Sequence, residues 1–131
     1  MTRADANRLA RKLGAPPIPK PPSVPRGMND TERKYLGHLH ILLLIGRISD
    51  HSQHEPETMV LANNVRYKPD FWYERLDGTR VYVEVKGTKN GKIYYRTERG
   101  RLKPIWAAQR GYRIVIAWCV DGQWREELVR A

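Results

Sequence analysis

Hydrophobic positions along the chain follow two periods. After Asn29-Asp30-Thr31, whose side-chain oxygens suit an N-cap, Leu36, Leu39 and Leu43 recur at helical spacing and predict a helix over about 31–46. Further on the period falls to two. Val81, Val83 and Val85 alternate with Arg80, Tyr82, Glu84 and Lys86, which predicts a strand with an apolar face and a face carrying a carboxylate beside an ammonium. A strand over 66–71 precedes it, with Asp77-Gly78 as the turn between them. Residues 58–62 form a short strand stopped by Asn63-Asn64. A helix follows over 97–109, with Ile105, Trp106 and Ala108 toward the sheet and Gly111 as its stop; Gly100 and Pro104 weaken its first half, and Pro104 would start or kink it. Residues 112–120 read as a buried strand, Asp121-Gly122 as a turn and 123–129 as an edge strand. The order gives an α/β fold, a mixed β-sheet flanked by helices, with no internal repeat.

The turn decides which side chains meet. A two-residue loop at Asp77-Gly78 would pair Asp70 with Val85 and put Asp70 and Glu84 on opposite faces. A three-residue loop, Leu76-Asp77-Gly78 with Gly78 left-handed, sets Asp70 opposite Glu84 on one face. Two facing carboxylates repel, so the second register calls for a cation between them. Two carboxylates and a backbone carbonyl offer hard oxygen ligands suited to Mg²⁺, with Mn²⁺ as a substitute. Glu32 stands four residues before Leu36, on the inward side of the first helix. It either caps its own helix or reaches the same region as a third carboxylate. His38, His40, His51 and His54 lack zinc-site spacing and read as non-ligands, with His54 or Glu55 at most supporting the site from outside.

Pro69-Asp70 followed by Glu84-Val85-Lys86 resembles the PD-(D/E)xK motif of restriction-endonuclease-like phosphodiesterases. The similarity runs from about Asn29 to Trp118. It takes in the helix opening at Thr31-Glu32, the Glu55-Pro56 step, Tyr67-Lys68-Pro69-Asp70-Phe71, Glu84-Val85-Lys86-Gly87, and Lys103 with Ala107-Ala108. Together these resemble a family of small phage-encoded nuclease-like proteins. The resemblance implies a restriction-endonuclease-like core and metal-assisted phosphodiester hydrolysis. Asp70, Glu84 and the Val85 carbonyl would hold the ion, Glu32 would join them, Lys86 would orient water or stabilise charge on the phosphate, and Lys103 would add a phosphate contact.

Charge points the same way. The 131 residues carry a net +10, which predicts an anionic partner, nucleic acid first and an anionic membrane surface second. Lys86, Lys89 and Lys92 make a basic lip after the second hairpin strand. Tyr94, Tyr95, Arg96, Arg99 and Arg101 interleave aromatics with cations, and Lys68 and Lys103 extend the nucleic-acid-binding set. Residues 1–27 read as a basic arm, helical over 5–13 and then extended through Pro16, Pro17, Pro19, Pro21, Pro22 and Pro25. The arm lies along phosphates, serves as a solubilising leader, or offers a proline-rich protein site. Residues 28–131 form the nuclease domain. The lone Cys119 excludes an internal disulfide and suits a reducing compartment. The apolar run 41–45 is too short to span a bilayer, and without a signal peptide the expected location is the cytoplasm, that of the host if the protein is phage-encoded. The expected activity is a Mg²⁺-dependent DNA endonuclease, with a structure-specific, junction-resolvase-like enzyme as one form and a homodimer if both strands are cut. A nuclease subunit of a larger phage or transposition complex and a non-catalytic nucleic-acid-binding module are the competing readings.

Overall fold

The computed structural model describes residues 5, 8, 12, 14, 27–61, 64–90, 92–95 and 98–131. Most of the proline-rich arm and Arg96 therefore lie outside the described residues, while Asp5, Arg8 and Lys12 have helical backbone.

Helix α1 (Asp30–Leu44) starts at the N-cap Asn29, as its capping residues require. Its buried side chains are Glu32, Tyr35 and Leu39. Leu43 is 39% exposed, so the inward stripe is centred on Tyr35 rather than on the three leucines. A mixed five-stranded sheet follows, in the order β1 (Asp50–His51), β4 (Phe71–Glu74), β5 (Arg80–Val85), β8 (Ile114–Val120), β9 (Gln123–Leu128). Strands β4 and β5 are antiparallel, β5 and β8 run parallel, and β9 returns antiparallel as one edge. The parallel pair is joined by a long crossover through the small hairpin β6 (Thr88–Lys89) and β7 (Lys92–Ile93) and the helix α2 (Glu98–Gln109).

Helices α1 and α2 cover opposite faces of the sheet. Tyr35 and Leu39 of α1 pack on Phe71, Val81, Val83, Val85, Val115 and Ala117. Ala107 of α2 packs with Tyr82, Ile114, Met59, Leu61 and Tyr67. β5 and the first half of β8 are therefore buried on both sides, as a central parallel pair demands. Pro104 lies inside α2 and is fully buried; the helix runs through it rather than starting there.

The expected strand over 66–71 is two pieces. β3 (Arg66–Tyr67) pairs with β2 (Met59–Val60) in a separate small sheet, and only from Phe71 does the chain join the main one. Pro69, buried and without an N–H, marks the break. The turn between β4 and β5 is the three-residue one. The Arg75 N–H donates to the Thr79 carbonyl (2.8 Å) and Gly78 has φ 88°, a conformation glycine adopts without penalty. The paired register Phe71↔Val83, carried one step further, sets Asp70 against Glu84.

Candidate active site

Three elements deliver acidic side chains to one cleft of about 520 Å³, lined among others by Glu32, Asp70, Glu84, Val85 and Lys86. Glu32 arrives through its cap. Asn29 Oδ1 accepts from the Glu32 N–H (2.8 Å), and Glu32 Oε1 accepts from the Asn29 N–H (2.9 Å). The second oxygen is left to face the cleft, where Oε2 lies 2.8 Å from His54 Nε2. Capping and site contact, alternatives from sequence, are divided between the two oxygens of one carboxylate.

Asp70 follows the Pro69 break. Its N–H donates to the Val83 carbonyl (3.0 Å), and its Oδ2 accepts from the Val85 N–H (2.8 Å). The carboxylate thus closes the end of the β4–β5 ladder in place of a backbone carbonyl. Glu84 comes from the last turns of the β5 pleat, on the side of Tyr82. Its Oε2 accepts from the Tyr67 hydroxyl (2.6 Å) and its Oε1 lies 3.2 Å from Lys86 Nζ.

His54 reaches the cleft on a segment that shadows β4. Beyond the short β1 pairing, the Ser52 N–H donates to the Trp72 carbonyl, Ser52 Oγ accepts from the Trp72 N–H, and the Glu55 N–H donates to the Asp70 carbonyl (2.8 Å). Glu55 has φ 48°, a conformation that non-glycine residues adopt at a cost and that recurs at functional sites. This staple sets His54 beside Asp70, with Nε2 3.7 Å from Asp70 Oδ1. One donor atom each from Glu32, His54 and Asp70 fall within 4.8 Å of one another. Glu84 borders this group from the flank of Tyr67 and Lys86.

Burial governs the electrostatics. It pushes the Asp70 carboxyl far above the usual carboxylate range, reinforced by the Glu84 charge and by the bond and charge of Glu32, against a smaller lowering by the Val85 N–H. Glu84 is raised, chiefly by burial, although Lys86 and Tyr67 oppose the shift. Burial would raise Glu32 too, but the hydrogen bonds with Asp70, Asn29 and His54 outweigh it and hold its carboxyl below the ordinary value. The two shifts run apart: burial favours the neutral form of Asp70, and its hydrogen bonds favour the charged form of Glu32. Two carboxylates and an imidazole with a third carboxylate behind them, and an excess of buried negative charge, fit a divalent ion.

The basic residues sit around this centre at different ranges. Lys68 and Lys103, with Arg66, line an adjoining cavity of about 350 Å³ that Glu84 also borders. Lys89 and Lys92 face each other across the β6–β7 hairpin, where Lys89 Nζ is 5.3 Å from the ring of Tyr94 at the cleft mouth. Arg99 is exposed in the first turn of α2, away from the cleft lining. Arg101 pairs with Glu98.

From sequence, His54 had at most a supporting place outside the site and the Tyr67 hydroxyl had no role; the structure sets His54 against Glu32 and the hydroxyl against Glu84. Tyr67 is buried and its own ionisation is pushed up by burial and by Glu84, so the hydroxyl stays a donor. Tyr67→Phe should cost about 1.5–3 kcal/mol, the range for a hydrogen bond to a charged group. Urea unfolding measures this directly, and an unchanged midpoint would show that the bond adds nothing.

Compared with protein-family models, with curated proteins and with solved structures, the chain matches none of them.

Proposed function

We propose that the chain is a metal-dependent DNA endonuclease of the PD-(D/E)xK type, built on a restriction-endonuclease-like core. The convergence of Glu32, Asp70 and Glu84 from three elements, with Lys86 alongside, carries this reading. Asp70, Glu84 and the Val85 carbonyl would hold Mg²⁺, or Mn²⁺ in its place, and Glu32 would join them. What the bound ion supplies is Lewis acidity toward a phosphoryl oxygen and toward water.

The chain's own residues do the rest. The β4–β5 register, carried one step past Phe71↔Val83, fixes the backbone positions from which Asp70 and Glu84 reach the cleft, which supports a site whose carboxylates are held near one another before substrate arrives. Lys86 is anchored by Glu84 and half-covered by the Tyr95 ring, 5.4 Å away, and presents its ammonium to charge building on the phosphate. Lys68, Lys103, Lys89, Lys92, Arg96 and Arg99 bind flanking phosphates, and the net +10 draws DNA in with an affinity that falls steeply as salt rises. Cutting both strands calls for two such sites and hence a homodimer. The single Cys119 suits work in a reducing cytoplasm.

The test uses purified protein on linear, branched and single-stranded labelled DNA with Mg²⁺, Mn²⁺ or EDTA. Cleavage should require the divalent ion. Asp70→Ala and Glu84→Ala should abolish it while binding DNA as well as wild type or more tightly, because negative charge is removed. Either variant cutting at the wild-type rate refutes the reading.

A further inference from the structure

We infer that His54 is itself a ligand of the divalent ion, and that its imidazole makes the site select a transition ion such as Mn²⁺ over Mg²⁺. The inference rests on the nuclease reading for its purpose but on separate geometry for its substance.

The geometry is that of a ligand set. His54 Nε2 is 2.8 Å from Glu32 Oε2 and 3.7 Å from Asp70 Oδ1. Two donors on one ion, each at a bond length of roughly 2.1–2.2 Å, stand no more than about 4.4 Å apart. Both separations lie inside that bound, and all three donor atoms fall within 4.8 Å. An ion entering between them would replace the 2.8 Å contact of His54 with Glu32, while the backbone bonds to Glu32 Oε1 and Asp70 Oδ2 stay in place.

The imidazole is also held where it is. Its side chain is 10% exposed. The ring lies 5.5 Å from that of Phe71, which is fully buried in the core. Gly27 lies nearby: a Cβ added there would stand 3.9 Å from His54 Cε1. The Glu55 N–H bond to Asp70 ties the His54 backbone to the residue it faces. A ring packed in this way aims one nitrogen at the carboxylates with little freedom to leave. Glu84 lines the same cleft, with its oxygens on the Tyr67 hydroxyl and the Lys86 ammonium.

A nitrogen ligand changes which ion fits. Mg²⁺ favours oxygen donors and retained water, whereas imidazole suits the transition series, whose affinity for such sites rises from Mn²⁺ onward. Glu32 and Asp70 keep the site hard enough for Mn²⁺. The competing account is that His54 merely pairs with Glu32 to neutralise a buried carboxylate, and this predicts no ion-specific role.

Isothermal titration of the full chain with MnCl₂ and with MgCl₂, for wild type and for His54→Gln, separates the accounts. The wild type should bind Mn²⁺ at least about 10-fold more tightly than Mg²⁺, and His54→Gln should lose that margin, weakening Mn²⁺ by about 10-fold or more with little change for Mg²⁺. Pulsed electron paramagnetic resonance of Mn²⁺ on the wild-type protein should show nitrogen hyperfine coupling from a directly bound imidazole. That measurement needs no variant, so a His54→Gln that fails to fold does not remove the test. Equal losses for both ions, or bound Mn²⁺ without nitrogen coupling, overturns the inference. If such a protein still cuts DNA, the nuclease reading stands without it. Nitrogen-coupled Mn²⁺ on a protein that cuts no nucleic acid leaves the ligand assignment intact and removes the nuclease. No binding of either ion overturns both.

Discussion

Asp70→Asn is expected to raise the thermal midpoint of the metal-free protein while abolishing cleavage. Asp70 is 9% exposed, faces Glu32 and Glu84, and carries a carboxyl pushed far up chiefly by that burial. An amide of the same shape keeps an oxygen for the Val85 N–H and is neutral at every pH, so the variant escapes the cost of holding a buried carboxyl protonated. Relief of an incompletely compensated buried polar group is worth about 1–3 kcal/mol. For a domain of this size that corresponds to several degrees, at about 4–8 °C per kcal/mol for 60–100 residues. The sign with pH follows from the raised carboxyl. Stability from protonated Asp70 is fully present below its unfolded pKa of about 3.9 and is lost as pH rises toward the folded value. The variant's advantage should therefore grow from acid to neutral pH. Saturating Mn²⁺ should reverse the order, since an ion at about 100 times its Kd stabilises the wild type by about 2.7 kcal/mol and has little hold on the variant. Differential scanning calorimetry across pH, with and without the ion, reads all three effects. A variant less stable than wild type at every pH would mean that the carboxylate is satisfied in the folded protein without a cation. Greater stability bought at the expense of activity is what a charge kept for function produces.

Much of this site was legible because strand geometry is digital. Alternation along Val81, Val83 and Val85 oriented β5, and the demand of a three-residue turn for a left-handed residue put Gly78, φ 88°, in place. Two turn lengths stayed open in the sequence, and the three-residue turn of the structure is the one that sets Asp70 against Glu84. The cap at Asn29 likewise located Glu32 within a turn of the cleft. What escaped was carried by backbone pairing without a side-chain pattern. Residues 48–55 hold one apolar side chain, Ile48, and no alternation, yet they track β4 through Ser52 and Glu55. The sequence therefore allowed His54 a supporting place but could not set it directly beside Asp70. Spacing also assigns a face but not a reach: Glu84 shares a face with Asp70 and still turns to Tyr67 and Lys86. In α1 the three leucines suggested a stripe that Tyr35 in fact centres, because a tyrosine whose hydroxyl reaches Glu126 (3.4 Å) is accepted in the core.

Lys86→Met should both destabilise the fold and remove most of the activity, and Glu84→Gln on top of it should restore the fold alone. The side chains of Lys86 and Glu84 are 17% and 13% exposed, 3.2 Å apart. Within that pair the ammonium is what most opposes the rise of the Glu84 carboxyl on burial. Taking away one partner of a buried pair typically costs about 3–5 kcal/mol, because the other charge is left without compensation, whereas neutralising both is close to neutral. Lys86→Met should thus lower the denaturation midpoint by an amount in that range, and the double variant Glu84→Gln/Lys86→Met should recover most of it. Cleavage should follow the opposite logic. Loss of a charge aimed at the reacting phosphate costs on the order of 10²–10³ in kcat, and the second substitution, by removing an ion ligand, lowers it further. Stability and activity would then separate cleanly across one double-mutant cycle. If the double variant is no more stable than Lys86→Met, the two groups do not compensate each other; if Lys86→Met cuts DNA at the wild-type rate, its ammonium has no part in the reaction.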